Sequence, residues 1–242
     1  MSGTLILLRH GQSQTNAAGL FTGLLDTELT DAGRNEAMHA AELLTAAQLS
    51  PDIWLYSPLL CARQTAEILA TVMPQRPDCI TDDWRLAERN YGALTGCSKH
   101  EVLDEYGEER FRTWRRSLHV EPPAMSRTQR GALDHVPDAL GLTESLHDVI
   151  VRVTDVWHER IEPVLKQDEA ILIKAHGNSL RALCTVIDQL DEREVRDLNV
   201  PTGYPLLYEI DEESRPLMRG GYYLDQTAAK AAAVTIAREG GT

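Results

Sequence analysis

Thr4–Leu8 (TLILL) is an unbroken apolar run, long enough for a buried strand and too short for a helix. Ile53–Tyr56 and Ala170–Ala175 (AILIKA) repeat that pattern, and Cys79–Thr81 is a weaker candidate. Leu206–Ile210 and Met218–Leu224 read as late strands. Between these runs the apolar spacing lengthens. Asp31–Ala47 is rich in Ala, Leu and Glu and predicts a helix capped by Thr30. Ser57-Pro58 predicts the start of another, with proline in the first turn, where its missing N–H costs little. Ser98-Lys99-His100-Glu101 has the form of a capping box. Leu146, Val149, Ile150, Val153, Trp157 and Ile161 recur at helical spacing and predict an amphipathic helix opened by Thr143. A helix through Ile187 follows His176, and the Ala-rich stretch Thr227–Ala237 predicts a last one. Strands alternating with helices predict an α/β chain, with a mainly parallel sheet flanked by helices on both faces. Residues 1–242 read as one domain, with a partly helical excursion over about 90–142 and a C-terminal tail over about 227–242. Within the excursion, Val120–Gly141 carries three prolines and little periodicity, and reads as a long, lid-like surface loop.

Charge narrows the choice of ligand. The chain has 24 Lys and Arg against 37 Asp and Glu, a formal net charge of −13. Such a surface repels nucleic acid and anionic lipid, so neither is an expected partner. An anionic ligand requires the positive charge to be gathered in one place. No apolar run approaches the roughly 20 residues of a membrane span, and Met1-Ser2-Gly3-Thr4 does not read as a signal peptide. Cys61, Cys79, Cys97 and Cys184 form no C-x-x-C pair, so no metal site is expected. Scattered free thiols fit a reducing, cytoplasmic setting.

Two of the strand candidates end alike, in Arg9-His10-Gly11 and in His176-Gly177. Open parallel sheets bind ligands at the carboxyl ends of their strands. Two histidines are thereby expected at one rim, each with a glycine that admits close approach of a ligand. A neutral imidazole can attack phosphorus and hold the phosphoryl group, while a second histidine or an arginine steadies the equatorial oxygens. Other candidates have plainer readings too. Glu88 beside Arg89 is also the pattern of a surface ion pair, Arg115-Arg116 of a solvated helix face, Lys99 of an exposed first-turn residue, and Tyr91 of a core residue.

Arg9-His10-Gly11-Gln12-Ser13 resembles the signature of the histidine phosphatase superfamily. Phe21-Thr22-Gly23, Leu86–Leu94, Trp114-Arg115-Arg116, Pro122-Pro123, Leu142–Ser145, Ala175–Arg181 and Val200–Gly203 narrow the resemblance to the 2,3-bisphosphoglycerate-dependent phosphoglycerate mutases. The resemblance implies interconversion of 3-phosphoglycerate and 2-phosphoglycerate, in glycolysis and gluconeogenesis, through a phosphohistidine primed by 2,3-bisphosphoglycerate. It implies His10 as nucleophile, Glu88 as general acid and base, and Arg9 and His176 as holders of the transferring group. Ser13, Asn16, Thr22, Gly23, Arg89, Tyr91, Lys99, Arg115, Arg116, Gly177 and Asn178 are then the substrate-binding set. No metal is required, and a homo-oligomer is implied.

The chain departs from that family in two places. The mutases carry an arginine in a Ser-x-Leu-x-Arg-Ala pattern after the second strand. Here Ser57-Pro58-Leu59-Leu60-Cys61-Ala62-Arg63 puts Cys61 in its place. Arg63 lies two residues on, which is a different helix face. The Val120–Leu142 stretch also looks shorter than the family's, and a shorter lid predicts more transfer to water. Two alternatives therefore stand beside the mutase reading. One is a phosphatase or bisphosphoglycerate phosphatase of the same superfamily. The other is a catalytically weakened anion-binding paralogue.

Overall fold

The computed structural model describes residues 3–73, 79–133 and 136–238. Residues 239–242 of the expected tail lie outside this range, as do Asp134 and His135 of the expected loop. The apolar runs form a six-stranded sheet, in the order β3-β2-β4-β1-β5-β6. Its strands are β1 (Gly3–Arg9), β2 (Ile53–Tyr56), β3 (Cys79–Asp82), β4 (Ala170–Ala175), β5 (Leu206–Ile210) and β6 (Tyr222–Tyr223). The four strands β1 to β4 are parallel, whereas β5 and β6 return antiparallel. The α/β expectation thus holds, with a mixed and mostly parallel sheet. β3 sits at an edge and is largely exposed, which explains its weak sequence signal.

The described residues include six longer helices: α1 (Asp31–Ala46), α2 (Leu60–Val72), α3 (Lys99–Arg116), α4 (Leu146–Val156), α5 (Gly177–Asp188) and α6 (Gln226–Arg238). α1, α2, α4 and α5 flank the sheet, whereas α3 packs Val102 and Phe111 against Phe21, Tyr91 and Leu94. The strands alternate their side chains between two apolar layers. Ile6, Leu8, Trp54, Leu172 and Leu207 pack with Ala37, Ala40, Ala41 and Leu44 of α1 and Leu69 of α2. Leu5, Leu7, Leu55, Ile171, Ile173 and Ala175 pack on the other face with α4 and α5. The central strands are buried on both faces, and this is why their sequences read as continuous apolar runs.

Four local expectations are corrected. Pro58 precedes its helix rather than opening it: α2 starts at Leu60, whose N–H is accepted by Asp26 Oδ1 at 2.5 Å, because the N-cap residue, Leu59, has no polar side chain. Helix α4 is capped by Ser145, paired with Asp148, and not by Thr143. The hydroxyl of Thr143 instead donates to the Pro122 carbonyl at 2.9 Å. Met218–Leu224 yields only the two residues of β6, because Gly220 and Gly221 turn the chain with φ of 82° and 58°. Finally, Val120–Gly141 is not a bare surface loop. It holds a short helix (Arg127–Gly131), and it buries Met125, Leu133, Val136 and Leu140 against Leu24, Leu59 and Ala87. No helix among the described residues is long and apolar enough to cross a membrane.

Candidate active site

β1 and β4 are neighbours in register, Arg9 opposite Ala175. The His10 N–H continues the ladder by donating to the Ala175 carbonyl at 3.1 Å. Both strands end at the same rim, so the two strand-end histidines meet. Their ring centroids are 4.8 Å apart, with the planes inclined at 60°. His10 is 2% exposed and His176 is 0% exposed. His10 Nδ1 lies 2.7 Å from the Gly11 carbonyl oxygen. A carbonyl only accepts, so Nδ1 carries the proton and the lone pair is on Nε2. Burial, then the neighbouring His176 and Arg9, hold the His10 ring well below its ordinary pKa. Burial and Arg9 lower His176 to about 3. Both imidazoles are therefore neutral at pH 7.

Gly11 has a different reason from the one its position suggests. A Cβ there would sit 2.0 Å from the Gly33 carbonyl oxygen, so the glycine admits α1 rather than a ligand.

Beside the histidines opens a cavity of about 140 Å³. Arg9, Asn16, Thr22, Gly23, Glu88, Tyr91, Lys99 and Arg115 line it, all from the expected set. His10 and His176 are not part of this lining. Arg9 and Glu88, however, both line the cavity and act electrostatically on His10. Burial lowers the Arg115 guanidinium to about 10, and repulsion from Arg116 and Arg9 pushes it the same way against the opposing pull of Tyr91. Arg9 is also lowered, chiefly by burial. Cations held out of water and close to one another form a receptacle for an anion. The acidic chain thus gathers positive charge where a phosphorylated acid would need it.

The remaining expected residues stand around this lining. Ser13 is fully buried and caps the turn that carries Asn16. A chain of hydroxyls from Ser13 through Thr15 reaches Thr22, with steps of 3.0 and 2.8 Å. Asn178, at the start of α5, gives its N–H to Glu88 Oε1 at 3.3 Å and its side-chain amide to the Tyr91 hydroxyl at 3.1 Å. Gly177, which opens α5, is buried next to it. Arg89 does not line the cavity; it donates to the carbonyls of Glu144 and Val120 and lies over the ring of the lining residue Tyr91, 5.1 Å from its centroid. Arg116 faces an adjoining groove, where it donates to the carbonyls of Arg196 and Leu198 and to Asn199 Oδ1.

Several contributors had no role assigned to them from the sequence. Gln12, Thr202 and Ile236 also line the cavity, the last from α6. Ser57 Oγ lies 2.7 Å from His176 Nε2. Arg152 of α4 binds the carbonyls of Arg85, Ala87 and Glu88 and makes a buried ion pair with Glu144, fixing the segment that presents Glu88. A charge at 152 beside the apolar positions of α4 was the available signal. Cys61 is fully buried in the first turn of α2, with Sγ 4.0 Å from His176 Nδ1. Burial pushes its thiol up to about 12. Arg63 is exposed.

A rim of paired strand-end histidines beside a cationic cavity is the arrangement of one known class, and the chain belongs to it: residues 5–219 match the histidine phosphatase superfamily, branch 1. Within that class its relatives include the 2,3-bisphosphoglycerate-dependent phosphoglycerate mutase of Rhodococcus jostii (strain RHA1), 44% identical over 99% of this chain and 98% of that one. The enzyme of the same name from Corynebacterium jeikeium (strain K411) is 44% identical over 98% and 96%. Among solved structures, a mycobacterial glucosyl-3-phosphoglycerate phosphatase in complex with VO3 is 26% identical, with a TM-score of 0.66 over 85% of this chain and 92% of that one. A putative alpha-ribazole-5'-P phosphatase from Escherichia coli shares the fold at 21% identity, with a TM-score of 0.71 over 91% and 96%.

Proposed function

We propose that this chain interconverts 3-phosphoglycerate and 2-phosphoglycerate through a phosphohistidine at His10, primed by 2,3-bisphosphoglycerate. The observation that carries the reading is His10 itself: a neutral ring with Nδ1–H fixed on Gly11 and Nε2 free, beside a cavity lined by Arg9, Lys99, Arg115 and Glu88. Identity of 44% to named mutases over nearly the whole chain supports the choice of substrate.

In the forward step a hydroxyl oxygen of the monophosphoglycerate attacks phosphorus and the His10 N–P bond breaks. The hydroxyl proton passes to the Glu88 carboxylate. The bisphosphorylated acid reorients, His10 Nε2 takes the other phosphoryl group, and Glu88 returns the proton. Arg9 and His176 stabilise the equatorial oxygens. Lys99 and Arg115 grip the carboxylate and the resting phosphate, for which the planar guanidinium fork of arginine is suited. Asn16, Thr22, Gly23 and Tyr91 shape the pocket, while Ser13, Arg89, Gly177 and Asn178 hold that lining in place. Arg116 extends the positive field from the adjoining groove. The scheme needs no metal, and its setting is the cytoplasm, as a homo-oligomer.

One observation favours a second reading. The arginine expected at position 61 is a neutral cysteine, and Arg63 is exposed, so the phosphoryl group meets fewer cations than in the mutases. A chain that holds the phosphoryl group less firmly binds the anion and transfers it slowly to either acceptor, a substrate hydroxyl or water, which is the catalytically weakened reading. Incubation with 2,3-bisphosphoglycerate followed by intact-mass measurement tests both readings. An acid-labile phosphate adduct, absent in His10→Ala, is expected. Isomer formation outrunning phosphate release supports the mutase, the reverse order overturns it in favour of a superfamily phosphatase, and slow formation of both products supports the weakened reading.

A further inference from the structure

Sequence spacing offered no metal-ligand pattern, yet the fold gathers one from three separated segments. His10 ends β1, His176 ends β4, and Cys61 lies in the first turn of α2. One ligating atom of each lies within 4.8 Å of those of the other two. A tetrahedral zinc site has metal–sulfur distances near 2.3 Å and metal–nitrogen distances near 2.0 Å, so its ligand atoms stand roughly 3.3–3.6 Å apart. The 4.0 Å between Cys61 Sγ and His176 Nδ1 is already close to that spacing. The other nitrogen of each ring is engaged, His10 Nδ1 with the Gly11 carbonyl and His176 Nε2 with Ser57 Oγ, each at 2.7 Å. Metal-binding histidines are held by such outer partners, which fix the lone pair on the ligating nitrogen.

We propose that His10 Nε2, Cys61 Sγ and His176 Nδ1 form a site for a zinc-like, thiophilic divalent cation, and that the bound cation blocks phosphoryl transfer. Two imidazoles and a thiolate favour zinc over magnesium or calcium, which prefer oxygen. As the metal–sulfur bond forms, the thiol proton leaves to solvent. The fourth position is open to water or to a phosphate oxygen. The lone pair that the metal takes on His10 is the one that attack on phosphorus requires, so metal and phosphoryl group exclude each other. Glu88 attracts the cation and Arg9 opposes it; both already act on His10. Cys61 makes the site, because an arginine there would bring a repelling charge and no lone pair. The metal site stands on this geometry alone, whereas its inhibitory effect rests on the reading of His10 as nucleophile.

The test uses the full chain in phosphate-free buffer, titrated with Co²⁺ alone and with Zn²⁺ alone. One Co²⁺ per chain is expected, with the strong visible bands of a tetrahedral ion and a thiolate-to-cobalt charge-transfer band. These are expected to vanish in Cys61→Ser and in Cys61→Ala and to persist in Cys79→Ser. Prior phosphorylation by 2,3-bisphosphoglycerate is expected to weaken Zn²⁺ binding at least about tenfold, and Zn²⁺ to slow formation of the phosphate adduct equally. Bands that survive both substitutions at position 61 overturn the site. Bands that depend on Cys61 while Zn²⁺ leaves the adduct rate unchanged overturn the block. If no adduct forms even without metal, the phosphohistidine reading fails, and the cobalt bands still decide the site.

Discussion

In the proposed reaction, position 61 sets how much positive charge the transferring group meets. The thiol of Cys61 is buried and neutral, 4.0 Å from His176. Arg63 does not replace the missing arginine, because its side chain leaves the opposite side of the helix into solvent. A charge-assisted hydrogen bond contributes about 1.5–3 kcal/mol, or roughly 10- to 150-fold in rate. Cys61→Arg is accordingly expected to raise the rate of His10 phosphorylation by about that factor, read by rapid quench and intact mass. A rate unchanged by the substitution would mean that Arg9 and Arg115 already saturate the phosphoryl oxygens.

At the scale of the element, the segment around Glu88 has almost no regular structure of its own. It is a 3₁₀ turn, Trp84–Leu86, followed by an irregular stretch. Its shape comes from Arg152, which holds three of its carbonyls and is itself paired with Glu144. Arg152→Ala leaves the Glu144 carboxylate buried without its partner, which costs about 3–5 kcal/mol. A fall of that size is expected in urea unfolding, together with a loss of turnover in which kcat drops more than KM rises. The tail acts from the other side of the cavity, through Ile236. Truncation after Asp225 opens that wall to water, and the ratio of phosphate released to isomer formed is expected to rise in a coupled assay.

These elements also mark what a sequence can disclose. β2, β4 and β5 were legible to the residue, because apolar runs between turns report burial directly. The pair His10 and His176 was legible because both stand at strand ends. Arg152, Ser57 and Ile236 were not, since their roles depend on segments that only the tertiary fold brings together. The stretch Val120–Gly141 misled for a related reason. Its buried side chains follow no period, because they pack against irregular chain and not against a sheet or a helix.

At the scale of the whole molecule, stability should depend on pH through groups that folding keeps uncharged. His10 and His176 are neutral in the native state and protonate in the unfolded chain below about pH 6.5. The unfolded state then binds more protons, so stability drops as pH is lowered below that value, by about 1.4 kcal/mol per unit for each ring. Lys174 extends this trend to alkaline pH. It is fully buried on β4, its ammonium nitrogen lies 3.8 Å from the centroid of the Trp54 ring, and it has no hydrogen-bond partner. Burial holds it well below its ordinary 10.5. Between its native pKa and 10.5 the unfolded chain therefore carries a proton that the native state lacks, and stability rises with pH. Lys174→Met removes that difference and fills the space with an apolar chain of similar length. The variant should be more stable at pH 7 by more than the roughly 1–3 kcal/mol that a buried polar group without a partner costs, because deprotonation of the lysine adds about 1.4 kcal/mol for each pH unit between its native pKa, or pH 7 if that is higher, and 10.5. The gain should shrink as pH approaches 10.5, where the lysine no longer pays to be neutral. Urea midpoints for both proteins at pH 7 and pH 10 decide the matter. A gain of equal size at the two values would show that Lys174 is charged in the native state, held by the Trp54 ring face.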